Sequence, residues 1–273
     1  MLFLDVLFTA IHAKSEPRSK FDYLYKLKNK KFDYVFLGSS RVANNIDADL
    51  VNDITNQKSI NLGIEGANYD DNLLELKILL HNKNKIGRLY LQVDHFYENS
   101  GKDMITKSNI LPYVREDHIV DHFREAGLNY SAYYYIPFYR YTEFSHVIGT
   151  RELFLRILNK KSKIDYANGF IPKYGNNDKI EVLPEYVSKS NKSISRIQNL
   201  CKKTGIELKL FCAPFKSNTI NLNYIHKLKS KYPELIDFSE FIADKYFFDG
   251  GHLNYEGARI FTKEMVLKSI KKE

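Results

Sequence analysis

Short apolar runs alternate with amphipathic stretches along most of the chain. Five runs carry the β-branched and aromatic residues of strands and are bounded by turn residues, at 32–38, 58–63, 88–93, 206–214 and 234–239. Between them, apolar side chains recur at helical spacing in residues 69–83, 185–205 and 254–272. Continuously apolar strands that alternate with helices are typical of a parallel sheet covered on both faces. The pattern predicts a three-layer α/β fold with ligands beyond the carboxyl ends of the strands.

One segment, residues 98–184, does not follow this alternation. It combines the charged stretch "REDHIVDHFREAG", an aromatic run at 129–144 and a helical pattern at 150–161, and it ends in a loop pattern. The simplest interpretation is a partly helical insertion between the third and fourth strands. The main α/β domain is predicted to span residues 31–273, with this insertion at about 98–184.

The first 30 residues form an apolar segment followed by a linker. "MLFLDVLFTAIHA" is apolar for about a dozen residues, fewer than the roughly 20 that cross a bilayer. It also lacks the basic start of a signal peptide. The segment is either a packed N-terminal helix or the end of a membrane anchor. The polar, proline-containing stretch "KSEPRSKFD" that follows slightly favours the anchor.

Composition narrows the class of protein. The 273 residues, 44% apolar and 27% charged, suffice for one large folded domain with a sizeable core. The net charge of +8 permits attraction to anionic glycans, membranes or nucleic acid. The lysines are scattered in short clusters, however, and no nucleic-acid-binding motif accompanies them. A solvated, lysine-rich surface explains the charge, and nucleic acid is not expected as a partner.

Two stretches carry candidate chemistry. In "FFDGGHLNYEGA" (247–258), Asp249 precedes His252 by three residues on a glycine-containing turn, so the carboxylate can orient the imidazole as acyl-transfer triads require. In "VFLGSSRV" (35–42), a strand leads into a turn with two serines, Ser39 and Ser40. Taken alone, Asp249 and His252 fit equally well as a turn aspartate and a helix-capping histidine.

The order of these elements resembles the SGNH (GDSL-like) hydrolase superfamily. The strand–Gly–Ser–Ser turn, "NLGIEGAN" after the second strand and Asp-x-x-His before the last helix occur in that order. The resemblance covers both ends of the chain and leaves residues 98–184 outside. It implies a flavodoxin-like five-stranded parallel sheet and ester chemistry that needs no metal or organic cofactor.

The resemblance also implies roles for individual residues. Ser40 takes the place of the nucleophile, with Ser39 where the family usually has aspartate, and His252 and Asp249 complete the triad. The backbone N–H groups of Ser40 and Gly66 take the place of the oxyanion hole.

Two other residues in the same blocks are candidates for supporting roles. Gly63 serves the tight turn in "NLGIEGAN", and Asn68 is a further candidate donor to the oxyanion hole.

The third block departs from the family. Where Gly-x-Asn-Asp is expected, the chain has "QVDH" (92–95), which puts Asp94 at the position of the asparagine donor. An ionised carboxylate there would repel an oxyanion, unless it were protonated or faced a partner such as Arg41. Removal of one oxyanion donor costs about 100- to 1000-fold in turnover. Activity is therefore less securely implied than the fold.

The variant motifs are similar to those of the branch tied to O-acetylation of envelope polysaccharides and to D-alanyl transfer. This implies a serine esterase or O-acyltransferase acting on an acylated carbohydrate, attached to the cell envelope by an N-terminal helix. The alternative is a weakly active or inactive SGNH-fold protein that binds glycan or partners in an envelope assembly. The residues themselves leave a cytoplasmic location open.

Two remaining features have competing interpretations. His118 and His122 lie four residues apart in "HIVDH", as in a zinc motif, but no further ligand is evident, which favours surface residues of a charged helix and no metal site. The tyrosines of 129–144 could stack on sugar rings, although packing of the insertion onto the sheet explains most of them better.

Overall fold

The computed structural model describes residues 1–99 and 105–270. Its centre is a five-stranded, all-parallel sheet with strand order β2-β1-β3-β4-β5, as in flavodoxin-like folds. The strands are β1 (Lys31–Leu37), β2 (Ser59–Asn61), β3 (Lys85–Gln92), β4 (Glu207–Cys212) and β5 (Ile236–Asp237). Each lies within one of the five predicted runs or overlaps it, and the predicted parallel α/β sheet is confirmed.

Helices precede the first strand, connect the strands and follow the last one. They are α1 (Leu2–Lys14), α2 (Lys20–Lys26), α3 (Ser40–Ala43), α4 (Ala48–Thr55), α5 (Tyr69–His81), α6 (Lys107–Ile110), α7 (Asp117–Glu125), α8 (Ser131–Tyr135), α9 (Tyr139–Glu143), α10 (Ser145–Ile148), α11 (Thr150–Ile157), α12 (Lys192–Thr204), α13 (Asn223–Lys231) and α14 (Tyr255–Ser269). Short 3-10 helices occupy His95–Asn99, Leu111–Tyr113 and Asp244–Tyr246.

The two faces of the sheet pack into separate apolar clusters because successive strand residues point to opposite sides. Val35 and Leu37 of β1 pack in a cluster with residues of α2, α5, α12 and α13. Tyr34 and Phe36 of the same strand pack in a second cluster with residues of α4 and α14. Helices therefore cover both faces, which makes three layers.

The helix expected at 185–205 begins later than its pattern suggests. It starts at Lys192 because the side chain of Asn191 caps it, accepting hydrogen bonds from Ser193 N and Ile194 N. Within the predicted range, residues 185–190 form no helix. The final helix α14 follows its prediction up to Ser269, and the end of the predicted range, 271–272, lies outside the described residues.

Between β3 and β4 the described part of the chain, from 105 onward, is partly helical. Six helices, α6 to α11, lie in residues 107–157, and a long irregular stretch leads from there to α12. Residues 100–104 of the predicted insertion lie outside the described part of the chain.

Helix α1 packs on the rest of the protein through a mixed side, where Asp5, Phe8 and His12 are buried. Asp5 is fully buried, where its carboxylate pairs with Arg140 and accepts a 2.8 Å hydrogen bond from Phe138 N. His12 is also buried, and its Nε2 lies 3.2 Å from Ile148 O. The predicted linker is structured as well, because Phe21 in α2 is buried in the core.

The opposite side of α1 is apolar and faces outward. Leu2, Phe3 and Val6 are 62%, 74% and 56% exposed. Burial of Asp5 and His12 together with exposure of these apolar residues departs from the usual arrangement of a surface helix. Among residues 1–99 and 105–270, every helix falls short of the length and apolar character needed to cross a bilayer.

Candidate active site

The loops after β1 and β3 meet at the point where the strand order reverses. Strands β2 and β3 pair with β1 on its two opposite sides. The chain connection that follows β1 therefore runs one way across the sheet, and the connection that follows β3 runs the other way. A crevice beyond the carboxyl ends of the strands forms at such a point. Ser40 follows β1 there as the first residue of α3, and Asp94 follows β3.

Ser40, His252 and Asp249 are brought together in one hydrogen-bonded chain. Ser40 Oγ lies 2.8 Å from His252 Nε2, although 212 residues separate them in sequence. His252 Nδ1 lies 2.8 Å from Asp249 Oδ1 and 3.0 Å from Oδ2. Ser40 and His252 are partly exposed, whereas Asp249 is buried. A serine with its imidazole at the surface and a buried carboxylate behind them is the arrangement that activates a hydroxyl for acyl transfer.

The turn that carries Asp249 keeps its carboxylate ionised. Burial would raise the pKa of Asp249, but the His252 ring and the backbone N–H groups of Gly251 and His252 lower it to about 2. The two N–H groups donate to Asp249 Oδ1 at 3.0 and 2.8 Å. The carboxylate therefore holds the Nδ1–H tautomer of the imidazole and leaves Nε2 to accept the proton of Ser40.

Two backbone N–H groups near the serine are available for an oxyanion. Among the described residues, no acceptor bonds to the backbone N–H of Ser40 or to that of Gly66. Gly66 is exposed and has a φ of +82°, a left-handed conformation that suits glycine.

The Gly66 turn is held against the turn that carries Ser40. Ile64 N donates to Gly38 O at 3.1 Å, and a Cβ atom on Gly63 would lie 2.5 Å from the backbone nitrogen of Ala43. Gly63 therefore permits close contact between this turn and α3.

Asp94, which stands where an asparagine donor was expected, faces Arg41. The carboxylate is completely buried and accepts hydrogen bonds from Arg41 Nη1 and Gln92 Nε2, both at 2.5 Å, and from Phe96 N at 3.1 Å. Burial would raise the pKa of Asp94, but Arg41 and the neighbouring donors hold it below the ordinary value. Asp94 is therefore an ionised partner of Arg41, and its side chain has no hydrogen to donate to an oxyanion.

Arg41 connects Asp94 to the histidine loop. Its Nε donates to Gly251 O at 3.0 Å, and its Nη2 donates to Ala213 O at 2.7 Å and Pro214 O at 2.6 Å. Only 2% of Arg41 is exposed, so it is a structural cation and is not available to a substrate. The guanidinium thus joins α3, the end of β4 and the residue next to His252.

Asn68, the further candidate donor, caps helix α5. Its Oδ1 accepts hydrogen bonds from Asp70 N and Asp71 N, and Asp71 Oδ2 accepts one from Asn68 N, which completes a capping box. The side chain is fixed in the helix cap beside the Gly66 turn.

Lys20 is a supporting residue that the sequence patterns did not indicate. It is buried, and its Nζ donates to Gly63 O at 2.5 Å and to Asn61 Oδ1 at 3.3 Å. Asn61 Nδ2 in turn donates to Val42 O in α3 at 2.8 Å. Burial lowers the pKa of Lys20 to about 7. Lys20 and Asn61 therefore tie the Gly66 turn to the helix that begins with Ser40. The stretch "KSEPRSKFD" gives no sign of this role in the sequence.

The other candidates lie elsewhere. His122 is buried, contrary to the expected surface position, and burial lowers its pKa to about 4. His118 stacks on His81, with ring centroids 3.8 Å apart. Residues 1–99 and 105–270 contain no group of three His, Cys, Asp or Glu side chains placed to hold a metal. In the aromatic run, Tyr133 and Tyr141 are buried and Phe138 packs on Phe8 of α1, so packing explains these residues.

Comparison with known proteins adds little to this geometry. No protein-family description matches the sequence, and no curated protein matches it. Among solved structures, the chain is similar to one from Streptococcus pneumonia described provisionally as a platelet activating factor. The identity is 13%, the TM-score is 0.41, and the alignment covers 97% of this chain and 92% of that one. The site is therefore interpreted from its own residues.

Proposed function

We propose that the protein is a serine esterase or O-acyltransferase that acts on acylated carbohydrate through Ser40, His252 and Asp249. The hydrogen-bonded chain from Ser40 Oγ through His252 to the buried Asp249 carboxylate carries the proposal. Its position beyond the carboxyl ends of β1 and β3, where α/β sheets bind ligands, agrees with it. The choice of carbohydrate follows from the resemblance of the motifs to the envelope O-acetylation branch.

The proposed reaction has two acyl-transfer steps. Ser40 Oγ attacks the ester carbonyl carbon while His252 Nε2 takes the hydroxyl proton, and the tetrahedral oxyanion is held by the N–H groups of Ser40 and Gly66. The C–O bond to the alcohol then breaks, and His252 returns the proton to the departing alkoxide. In the second step, water or a sugar hydroxyl attacks the acyl-Ser40 carbonyl while His252 takes its proton. The bond between the acyl carbon and Ser40 Oγ then breaks, and His252 returns the proton to Ser40.

Active-site labelling tests the nucleophile directly. A fluorophosphonate probe should modify the intact protein, and peptide mapping should place the adduct on Ser40. Ser40→Ala should abolish labelling, whereas Ser145→Ala, a serine at the start of α10, should leave it intact. An unlabelled wild-type protein, or an adduct that survives Ser40→Ala, would refute the esterase proposal.

A non-catalytic function is the second candidate, and the state of Asp94 favours it. The buried carboxylate offers no hydrogen to an oxyanion, so the side-chain donor that the family has at this position is missing. In that case the site binds glycan or a partner without turnover. Release of acetate from acetylated xylan distinguishes the two, because a binding module releases none above the Ser40→Ala background.

The proposal also includes attachment to the cell envelope at a membrane surface. It is supported by the outward apolar side of α1, where Leu2, Phe3 and Val6 are exposed, and by the exposed Lys14 at the end of the same helix. Apolar side chains beside lysines suit the boundary of an anionic bilayer.

Vesicle sedimentation tests this part of the proposal. The protein should sediment with vesicles of phosphatidylglycerol and phosphatidylcholine, and a Phe3→Ser, Val6→Ser variant should remain in solution. As a control, Tyr186→Ser, at a tyrosine that is 78% exposed outside α1, should sediment like wild type. Equal sedimentation of all three proteins, or of none, would contradict attachment through α1.

A further inference from the structure

The segment 170–174 forms one rim of the candidate active site. Ile171 N donates to Ala43 O at 2.8 Å and Asn44 Nδ2 donates to Ile171 O at 3.0 Å, which fixes the segment to the end of α3. Two residues later, Lys173 O accepts a 2.8 Å hydrogen bond from Tyr255 N. Since α3 begins with Ser40 and Tyr255 follows His252 by three residues, the segment borders both members of the Ser–His pair.

Three aromatic rings are stacked along this rim. Tyr255 lies between Phe170, with ring centroids 6.3 Å apart, and Tyr174, with centroids 5.6 Å apart. The two interplanar angles are 29° and 26°, so the rings are nearly parallel. Phe170 is partly buried against the core, whereas Tyr255 is 40% and Tyr174 69% exposed. Tyr174, at the open end of the stack, therefore presents aromatic surface to solvent beside the site, and Tyr255 supports it from the inner side.

An ion pair lies between the rings and the Gly66 turn. Lys173 Nζ is 3.0 Å from Glu65 Oε1, and Glu65 directly precedes Gly66. Partial burial would raise the pKa of Glu65, but Lys173, Asn44 and the nearby His252 hold it below the ordinary value. The rim thus offers one ammonium donor and one carboxylate acceptor within reach of the histidine.

The charges on this surface are balanced. Lys173 is paired with Glu65, and Arg259, whose guanidinium lies 5.7 Å from the centre of the Tyr255 ring, is paired with Asp47 at 2.7 Å. A surface built for a phosphate or another anion would hold unpaired cations. Flat rings beside a paired donor and acceptor fit a neutral ligand that has both an apolar face and hydroxyl groups.

We propose that Tyr174, supported from behind by Tyr255, forms a stacking platform for one pyranose ring of the glycan, with Lys173 and Glu65 bonding to its hydroxyl groups. The C–H face of a pyranose is apolar and packs on aromatic rings, while each hydroxyl both donates and accepts. The sugar ring next to the stacked one carries the ester, or the accepting hydroxyl, that reaches Ser40. The choice of carbohydrate rests on the proposed function, but the site itself does not require turnover.

Binding to a catalytically disabled protein tests the platform without relying on catalysis. Xylotetraose and the tetramer of N-acetylglucosamine are titrated by calorimetry into Ser40→Ala protein, and then into the same protein carrying Tyr174→Ala or Tyr255→Ala. We expect binding of at least one sugar, weakened about tenfold by each tyrosine substitution, the loss typical of a truncated aromatic anchor. Tyr135→Ala is the matched control, because Tyr135 is 72% exposed in the other aromatic run and should not change binding.

Kinetics provide a second readout in the wild-type background. For Tyr174→Ala, the loss of kcat/KM on acetylated xylo-oligosaccharide should exceed the loss on p-nitrophenyl acetate about tenfold, since the small ester does not reach the platform. Absence of binding to both sugars, or equal binding by the Tyr174 and Tyr135 variants, would overturn the platform.

The outcomes separate the platform from the esterase proposal. Ser40 labelling together with unaffected sugar binding leaves an esterase without this platform. Absent labelling together with Tyr174-dependent binding leaves the platform in a non-catalytic glycan-binding protein.

Discussion

Replacing Asp94 by asparagine tests what this residue does. If position 94 belonged to the oxyanion hole, Asp94→Asn would add a side-chain donor and raise activity. The structure predicts the opposite, because the carboxylate is the buried counter-charge of Arg41 at 2.5 Å, with 0% and 2% of the two side chains exposed. The variant leaves the guanidinium in the interior without its partner.

The expected cost follows from the burial of both groups. Removing one partner of a buried ion pair destabilises a protein by about 3–5 kcal/mol. That is a large part of the roughly 5–15 kcal/mol that holds a domain folded. At about 2–4 °C per kcal/mol for a domain near this size, the melting temperature should fall by about 6–20 °C. Turnover should fall by up to about 100-fold, because Arg41 also holds Gly251 O beside His252.

Urea denaturation, thermal melts and hydrolysis of p-nitrophenyl acetate measure these effects. Asp121→Asn is the matched control, since Asp121 pairs with Arg124 at 3.2 Å on the surface with 62% of each side chain exposed. The control should lose less than about 1 kcal/mol. Wild-type stability together with raised esterase activity in Asp94→Asn would refute the structural role and restore Asp94 to the oxyanion hole.

Further predictions concern the support of the site and the response to acid. Lys20→Met should lower kcat about tenfold with little change in KM and destabilise the fold by about 1–3 kcal/mol, because Gly63 O loses its buried donor. Lys26→Met, in the same helix but bonded to Ser15 O, should keep kcat. In urea denaturation, Gly63→Ala should have a lower free energy of unfolding than Gly66→Ala, because the added Cβ at position 63 would lie 2.5 Å from a backbone atom. Burial lowers the pKa of His12 to about 4, so only the unfolded chain takes up its proton as pH falls from about 6.5 to 4. Stability should fall across that window, and less steeply in His12→Gln in pH-dependent melts.

The sheet was predictable because its signals are local. Each strand is a short apolar run between turn residues, and alternation with helices requires a parallel sheet. The pairing of Ser40 with His252 was inferred from motif order, because the chain separates them by 212 residues. Helix ends were less predictable, as the start of α12 shows, where the cap at Asn191 outweighs the helical periodicity before it.

Residues whose role depends on contacts with residues far away in the chain leave no recognisable pattern in the sequence. Lys20 stands in a polar stretch that resembles a linker, and only folding brings its ammonium under Gly63, 43 residues away. The aromatic rim was missed for the same reason. The sequence drew attention to the tyrosines of 129–144, which occur together, whereas Tyr174 and Tyr255 come from a loop and a distant helix.

The buried Arg41 explains why position 94 carries an aspartate and not an asparagine. An arginine directly after the serine places a cation in the interior, at the ends of three neighbouring strands, and a buried cation needs a counter-charge. Asparagine at position 94 could accept a hydrogen bond but could not neutralise that charge. The Arg41–Asp94 ion pair joins α3, β3 and the end of β4 to Gly251. It therefore holds the loop that carries His252 against Ser40. An oxyanion would then depend on the backbone N–H groups of Ser40 and Gly66, whose positions Arg41 and Lys20 help to fix.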